Sequence, residues 1–174
     1  MENASNPDNI KRAFLESYDL YSDAIFRYAY MKTSDRNKAI DIAQDTFARA
    51  WEYAAKGEPI VNMRALLYRI AHNLIVDGYR KKSAVSLDHL MEEGFDYGTN
   101  NTERMMDQLD GHETMKLLDK LDQKYRDVVI WRYIDELSVK EIAQITGETE
   151  NTVSVRIHRG LEKIRELAKL QNNG

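Results

Sequence analysis

Through most of the chain apolar residues recur every three or four positions, the spacing that lines up one face of a helix. Over 8–31 that face is Phe14, Tyr18, Tyr21, Ile25 and Ala29, its tyrosines suited to a partly wet surface. Thr33-Ser34-Asp35 caps a second helix, about 36–55, with Ile40, Ala43, Phe47, Ala50, Trp51 and Ala54 on its apolar side. Gly57-Glu58-Pro59 breaks the chain, and Asn62 caps a third helix over 63–82 with the stripe Met63, Leu67, Ile70, Ala71 and Leu74. Further on, a helix near 111–120 carries Met115, Leu117, Leu118 and Leu121. Another, from Asp122 to Ile134, carries Tyr125, Val128, Val129, Trp131 and Tyr133.

The stretch 138–168 predicts helix, tight turn, helix. Ser138 with Glu141 three residues later has the spacing of a capping box. Ile142, Ala143 and Ile145 give a short apolar face, Gly147 supplies the left-handed residue that ends a helix, and Thr149 caps the next one. There Val153, Ile157, Leu161 and Ile164 share the buried stripe. Asn151, Val155, His158 and Arg159 point outward, Ser154, Arg156 and Arg165 flank them, and Thr152 lies at the exposed N-terminal end. Amide and guanidinium groups on such a helix can reach base edges in a major groove, and cations can hold phosphates. An ordinary helical hairpin with a solvated face fits the same pattern.

Charge and composition sharpen this. The chain has 174 residues, a formal net charge of −4 and no cysteine, so no disulfide framework and no thiolate zinc site is available. No signal-like or membrane-length apolar run is present, which predicts a soluble, unexported, cytoplasmic protein with no membrane insertion. The acidity is local. Residues 1–83 carry 13 Lys+Arg against 11 Asp+Glu, 84–110 carry one Arg against seven acids, and 111–174 balance at 11 each. The middle segment also lacks periodicity and contains Gly94 and Gly98. The expected architecture is therefore all-α: a helical domain over 1–83, an acidic flexible linker over 84–110, and a second helical domain over 111–174.

Two further faces stand out. On the second helix, Asp41, Asp45, Ala48, Arg49 and Glu52 lie opposite the apolar side with Gln44 at the border, either a solvated stripe or a docking face for a basic partner. On the third, Arg64, Tyr68, Arg69, His72, Val76, Tyr79 and Arg80 are expected to point outward, with Lys81 and Lys82 beyond. Cations between rings suit single-stranded nucleic acid, where rings stack on unpaired bases. Half-buried tyrosines with solvating cations are the alternative.

Four stretches in order, Asp41–Trp51, Leu67–Lys81, Leu121–Val129, and Leu137–Ala143 with Thr152–Arg159, resemble the extracytoplasmic-function (group 4) sigma factors of the sigma-70 family. The resemblance covers about residues 13–168 and matches regions 2.2, 2.3 with 2.4, 4.1 and 4.2 in turn. It implies a region 2 bundle and a region 4 helix-turn-helix. Asp41, Gln44, Asp45, Arg49 and Glu52 would bind the clamp helices of the polymerase β′ subunit. Asn62, Arg64, Tyr68, Arg69, His72 and Arg80, with the loop Lys56 to Asn62, would open the −10 element and capture an exposed base. Asn151, Thr152, Ser154, Val155, Arg156, His158 and Arg159 would meet the −35 duplex, Arg159 at a base edge and Arg156 at a phosphate. The implied partners are core RNA polymerase through β′ and β, promoter DNA and an anti-sigma factor, with no cofactor and no metal. The acidic linker would thread basic channels of the polymerase by charge mimicry. The chain departs from the family pattern at Met63 and Leu66, where many members carry rings, and at Thr149-Glu150-Asn151 in place of the common Ser-Glu-Gly.

Two rivals remain at this level. A conventional helix-turn-helix regulator with an N-terminal helical sensor would bind duplex DNA without polymerase, and leaves the acidic and ring-and-cation faces unexplained. An enzyme lacks support: the histidines at 72, 89, 112 and 158 show no metal-ligand spacing, and no nucleophile elbow or phosphate loop occurs.

Overall fold

The computed structural model describes residues 7–86 and 112–172. The chain divides into two compact units, Met1–Thr102 and Glu103–Gly174. The first holds α1 (Pro7–Thr33), α2 (Arg36–Ala55) and α3 (Met63–Ser86). The second holds α4 (His112–Asp119), α5 (Gln123–Tyr133), α6 (Val139–Thr146) and α7 (Glu150–Asn172). No strand occurs among the described residues. The acidic stretch expected over 84–110 begins inside α3 and from residue 87 lies outside the described residues.

The breaks follow local chemistry. Asp35 sits extended before α2, and its Oδ1 accepts from the N–H groups of Asn37 (3.0 Å) and Lys38 (3.1 Å). Those are two of the donors that a helix start leaves without an intrahelical partner. Gly57 takes φ +76° just after α2, and Asn62 Oδ1 accepts from the Ala65 N–H at 3.0 Å to start α3.

In the first unit α1, α2 and α3 pack pairwise. Ile25, Tyr28 and Ala29 of α1 and Ala39, Thr46, Phe47, Ala50 and Ala54 of α2 are buried in this core. The small side chains of α2 let the helices approach closely. Thr46 is buried without penalty because its hydroxyl donates to the Ile42 carbonyl at 2.7 Å. At one end of this interface Phe14 meets Trp51 edge-on at 5.1 Å and Tyr18 meets Phe47 at 4.8 Å, so Tyr18 packs through its ring while much of it stays wet.

α3 departs from the expected stripe. Leu67 and Ala71 are buried, whereas Met63, Ile70 and Leu74 are only half-buried. Ala65, Leu66, Tyr68 and Ile75 complete the buried set. The inward direction is turned by roughly a quarter turn from the sequence expectation, at about 3.6 residues per turn. The cause lies on α1. Tyr28, fully buried, packs its ring against Tyr68 (centroids 5.5 Å apart), and its hydroxyl and His72 Nδ1 share a hydrogen bond of 3.1 Å. Lower down, the Tyr79 hydroxyl donates to the Lys32 carbonyl, one of the acceptors that the end of α1 leaves over.

The second unit is built on α5 and α7, with α4 and α6 against them. Its core is Leu117, Leu118, Leu121, Val128, Val129, Ile130, Trp131, Leu137, Ile142, Ile145, Val153 and Ile157. Tyr133 stands in solvent at the end of α5, and Leu161 and Ile164 are half-buried as α7 runs on.

Candidate nucleic-acid and partner interfaces

The turn between α6 and α7 is fixed by its own residues. Ser138 Oγ accepts from the Glu141 N–H at 3.2 Å, and Glu141 Oε2 accepts from the Ser138 N–H at 2.8 Å, a closed capping box. Gly147 ends α6 at φ +72°, where any other side chain would be strained. Thr149 Oγ1 accepts from the Thr152 N–H at 3.2 Å and starts α7. With Val153 and Ile157 buried, the opposite side of α7 presents Asn151, Thr152, Ser154, Val155, His158 and Arg159, all exposed. His158 Nε2 lies 3.2 Å from Glu162 Oε1, so part of its hydrogen-bonding capacity is turned along the helix.

Arg156, expected from the sequence to meet a phosphate at the flank of the outward face, is half-buried. It is 24% exposed, and its guanidinium is held by the Glu148 carboxylate, back across the turn. The pair ties the body of α7 to the loop that sets its angle. The pairing joins residues eight apart, one in the turn and one in the second turn of α7, and only the folded turn brings them together.

Gly160 was also missed. A Cβ built there would lie 2.8 Å from Val129 Cγ2 and 3.5 Å from Tyr125 Cβ and its carbonyl oxygen. α7 therefore approaches α5 closely at the one position without a side chain. The signal in sequence is a lone glycine in the buried stripe of a helix, which otherwise costs about 1 kcal/mol against alanine.

On α2 the five residues Asp41, Gln44, Asp45, Arg49 and Glu52 are all exposed, as expected, with Trp51 at their edge. Their spacing places them along one side of a helix whose other side is the core.

The α3 face is corrected. Tyr68, expected to point outward and stack on bases, is 1% exposed and belongs to the core. His72 and Tyr79 are half-buried and bonded to α1, and Arg64 is half-buried. The face that reaches solvent is Arg69, Asn73, Asp77 and Arg80, with Arg80 Nη1 3.8 Å from Asp77 Oδ1, and with Lys81 and Lys82 following. Of the rings between these cations, Tyr68 lies in the core and Tyr79 is half-buried with its hydroxyl bonded to α1. In the preceding loop Val61 is 89% exposed. Beside it runs a largely apolar groove of about 1030 Å³ lined by Ile10, Phe14, Trp51, Pro59, Ile60 and Met63 among others.

Among the described residues no group of three or more His, Cys, Asp or Glu could hold a metal ion, and no helix is long and apolar enough to cross a membrane.

Residues 18–85 match the family Sigma-70 region 2, and residues 112–164 match Sigma-70, region 4. The chain is 34% identical over 165 residues to the ECF RNA polymerase sigma factor SigW of Bacillus subtilis, covering 88% of each chain. It is 30% identical over 152 residues to the RNA polymerase sigma factor YlaC of the same species, covering 86% of this chain and 88% of that one. Among solved structures it is similar to the sigma factor RpoE of Bartonella quintana, determined in complex with the anti-sigma factor NepR. There the identity is 25%, the TM-score 0.70, and the coverage 91% of this chain and 98% of that one.

Proposed function

The chain belongs to the extracytoplasmic-function group of the sigma-70 family, and from that premise we propose how its own residues bind core RNA polymerase and direct promoter-specific initiation. The observation that carries the reading is the match, in order and across 88% of both chains, to a protein of that group. It acts in the cytoplasm, without catalysis of its own, as the specificity factor of an enzyme it binds.

Residues 1–83 form the region 2 domain, 84–110 the acidic linker and 111–174 the region 4 domain. Asp41, Gln44, Asp45, Arg49 and Glu52 meet the β′ clamp helices, where the carboxylates complement a basic partner. Arg69 and Arg80, with the N-terminal end of α3 at Asn62 and Arg64 and the exposed Val61 loop, hold the opened −10 strand. Tyr68 and His72 fix α3 against α1 instead of touching bases. On α7, Asn151, Thr152, Ser154, Val155, His158 and Arg159 face the −35 major groove, and Arg156 sets the angle of that helix through Glu148. An anti-sigma factor is the proposed regulator, occluding the polymerase-facing stripe of α2.

The test is reconstituted transcription. Core polymerase with the full chain should yield discrete run-off transcripts from a subset of genomic fragments, and core alone should not. Sequence-specific binding to those fragments without polymerase, and no transcripts with it, would instead make the protein a conventional regulator.

A further inference from the structure

Val155 does not share the chemistry of its neighbours. Residues four apart on a helix lie on one face, so Asn151, Val155 and Arg159 form a line along the outward side of α7, and all three are exposed. Thr152, Ser154 and His158 beside them are polar. Val155 keeps 43% of its surface in water, while the core side of the same turns is filled by Val153 and Ile157. A β-branched apolar side chain left this exposed gains only part of the stabilisation of burial, offers water no polar group, and lowers helix propensity slightly. Further along the same line the exposed acids Glu162 and Glu166 come next, with the exposed cations Lys163 and Arg165 beside them. Val155 stands in the middle of the exposed line from Asn151 to Arg159.

On a duplex the major-groove edge offers donors, acceptors and one apolar group, the 5-methyl of thymine. We propose that Val155 selects a thymine in the −35 element by packing on that methyl, between the base pairs addressed by Asn151 and Arg159. The inference rests on the assignment of the second unit to the −35 duplex. At about 1.5 Å of rise per residue, Asn151 and Arg159 stand roughly 12 Å apart along the helix axis. That spans about three to four base steps of roughly 3.4 Å each, with Val155 half-way.

The experiment uses holoenzyme made from core polymerase and the full chain. Promoter duplexes are first selected from a pool randomised upstream of a fixed −10 element. Each thymine of the selected upstream motif is then replaced singly by deoxyuridine, which differs only by the missing methyl. One central thymine should respond, its replacement weakening wild-type binding about four-fold, the size expected for burying one methyl. Val155→Ala, exposed and helix-favouring, should bind the thymine duplex about four-fold more weakly and show no further loss with deoxyuridine. The proposal is overturned if deoxyuridine is neutral at every position, or if it weakens Val155→Ala by the same factor as wild type. Selection of no upstream motif at all would overturn the −35 assignment beneath it, a result distinct from a motif that is read without its methyl.

Discussion

Replacing Gly160 with alanine sets two effects of known size against each other. Helix propensity favours alanine by about 1 kcal/mol in a helix interior. Against it stands the new Cβ, 2.8 Å from Val129 Cγ2 and 3.5 Å from Tyr125 Cβ. Methyl groups in contact need more than 3.4 Å, so something must move by over half an ångström. Val129 is poorly placed to yield, being 4% exposed and on a helix, where a β-branched side chain has one strongly preferred rotamer. α7 must then shift from α5, and overpacking of this kind costs about 1–3 kcal/mol. Taking the upper half of that range, Gly160→Ala should destabilise the second unit by about 1–2 kcal/mol net. Val129→Ala alone should also destabilise by leaving a cavity. In the double variant the clash is gone and the propensity gain is realised, so the double should be more stable than the sum of singles by about 2 kcal/mol. Urea unfolding of the full chain in a Trp51→Phe background isolates this unit, because Trp131, buried on α5, is then the sole tryptophan. If Gly160→Ala instead stabilises by the full propensity gain, with no coupling to Val129, the close approach of α7 to α5 is not what the glycine serves.

Other outcomes follow from the remaining sites. Tyr68→Ala should lower the stability of the first unit by about 3–5 kcal/mol, as for other buried aromatic truncations; loss of promoter opening with unchanged unfolding would return the ring to the surface. Arg156→Ala should weaken binding to every −35 sequence without changing the salt slope, since the guanidinium is engaged by Glu148; a slope reduced by about one unit would make it a phosphate contact after all. Asp45→Arg, on the exposed side of α2, should reduce competition for core polymerase while circular dichroism stays unchanged, and equal competition removes Asp45 from that interface. The backbone N–H of Lys38, foremost, holds the Asp35 carboxyl below its ordinary value of 3.8, assisted by the Lys38 charge and the Asn37 N–H and opposed by partial desolvation. Its capping contribution is therefore complete above pH 3.8 and lost as the pH falls through the lower folded value. The stability difference between wild type and Asp35→Asn should stay constant above about pH 5 and change below 3.8; a difference that ignores pH throughout would deny the charged cap its role.

Many of the starts and stops of these helices are local chemistry that the sequence carries, though α3 runs past its expected end at 82 to Ser86 and Asp122 starts α5 without a side-chain cap. Asp35, Asn62, the pair Ser138 and Glu141, Gly147 and Thr149 each act through a backbone group within a few residues, so their spacing is enough to read the break. The exposed stripe of α2 was legible for a related reason: its apolar and charged residues segregate cleanly around one helix. The family likewise followed from four stretches in order. What the sequence could not decide was direction where a side chain is both apolar and polar-tipped. Tyr68, His72 and Tyr79 fit a wet nucleic-acid face or a core with internal hydrogen bonds equally well, and the choice was made by Tyr28 and the Lys32 carbonyl, more than forty residues away for His72 and Tyr79. The same holds for Arg156, whose pairing with Glu148 depends on the folded turn, and for Gly160, whose reason is Val129 on another helix. Spacing along one helix fixes which residues share a face; only packing against its neighbours fixes which way that face turns.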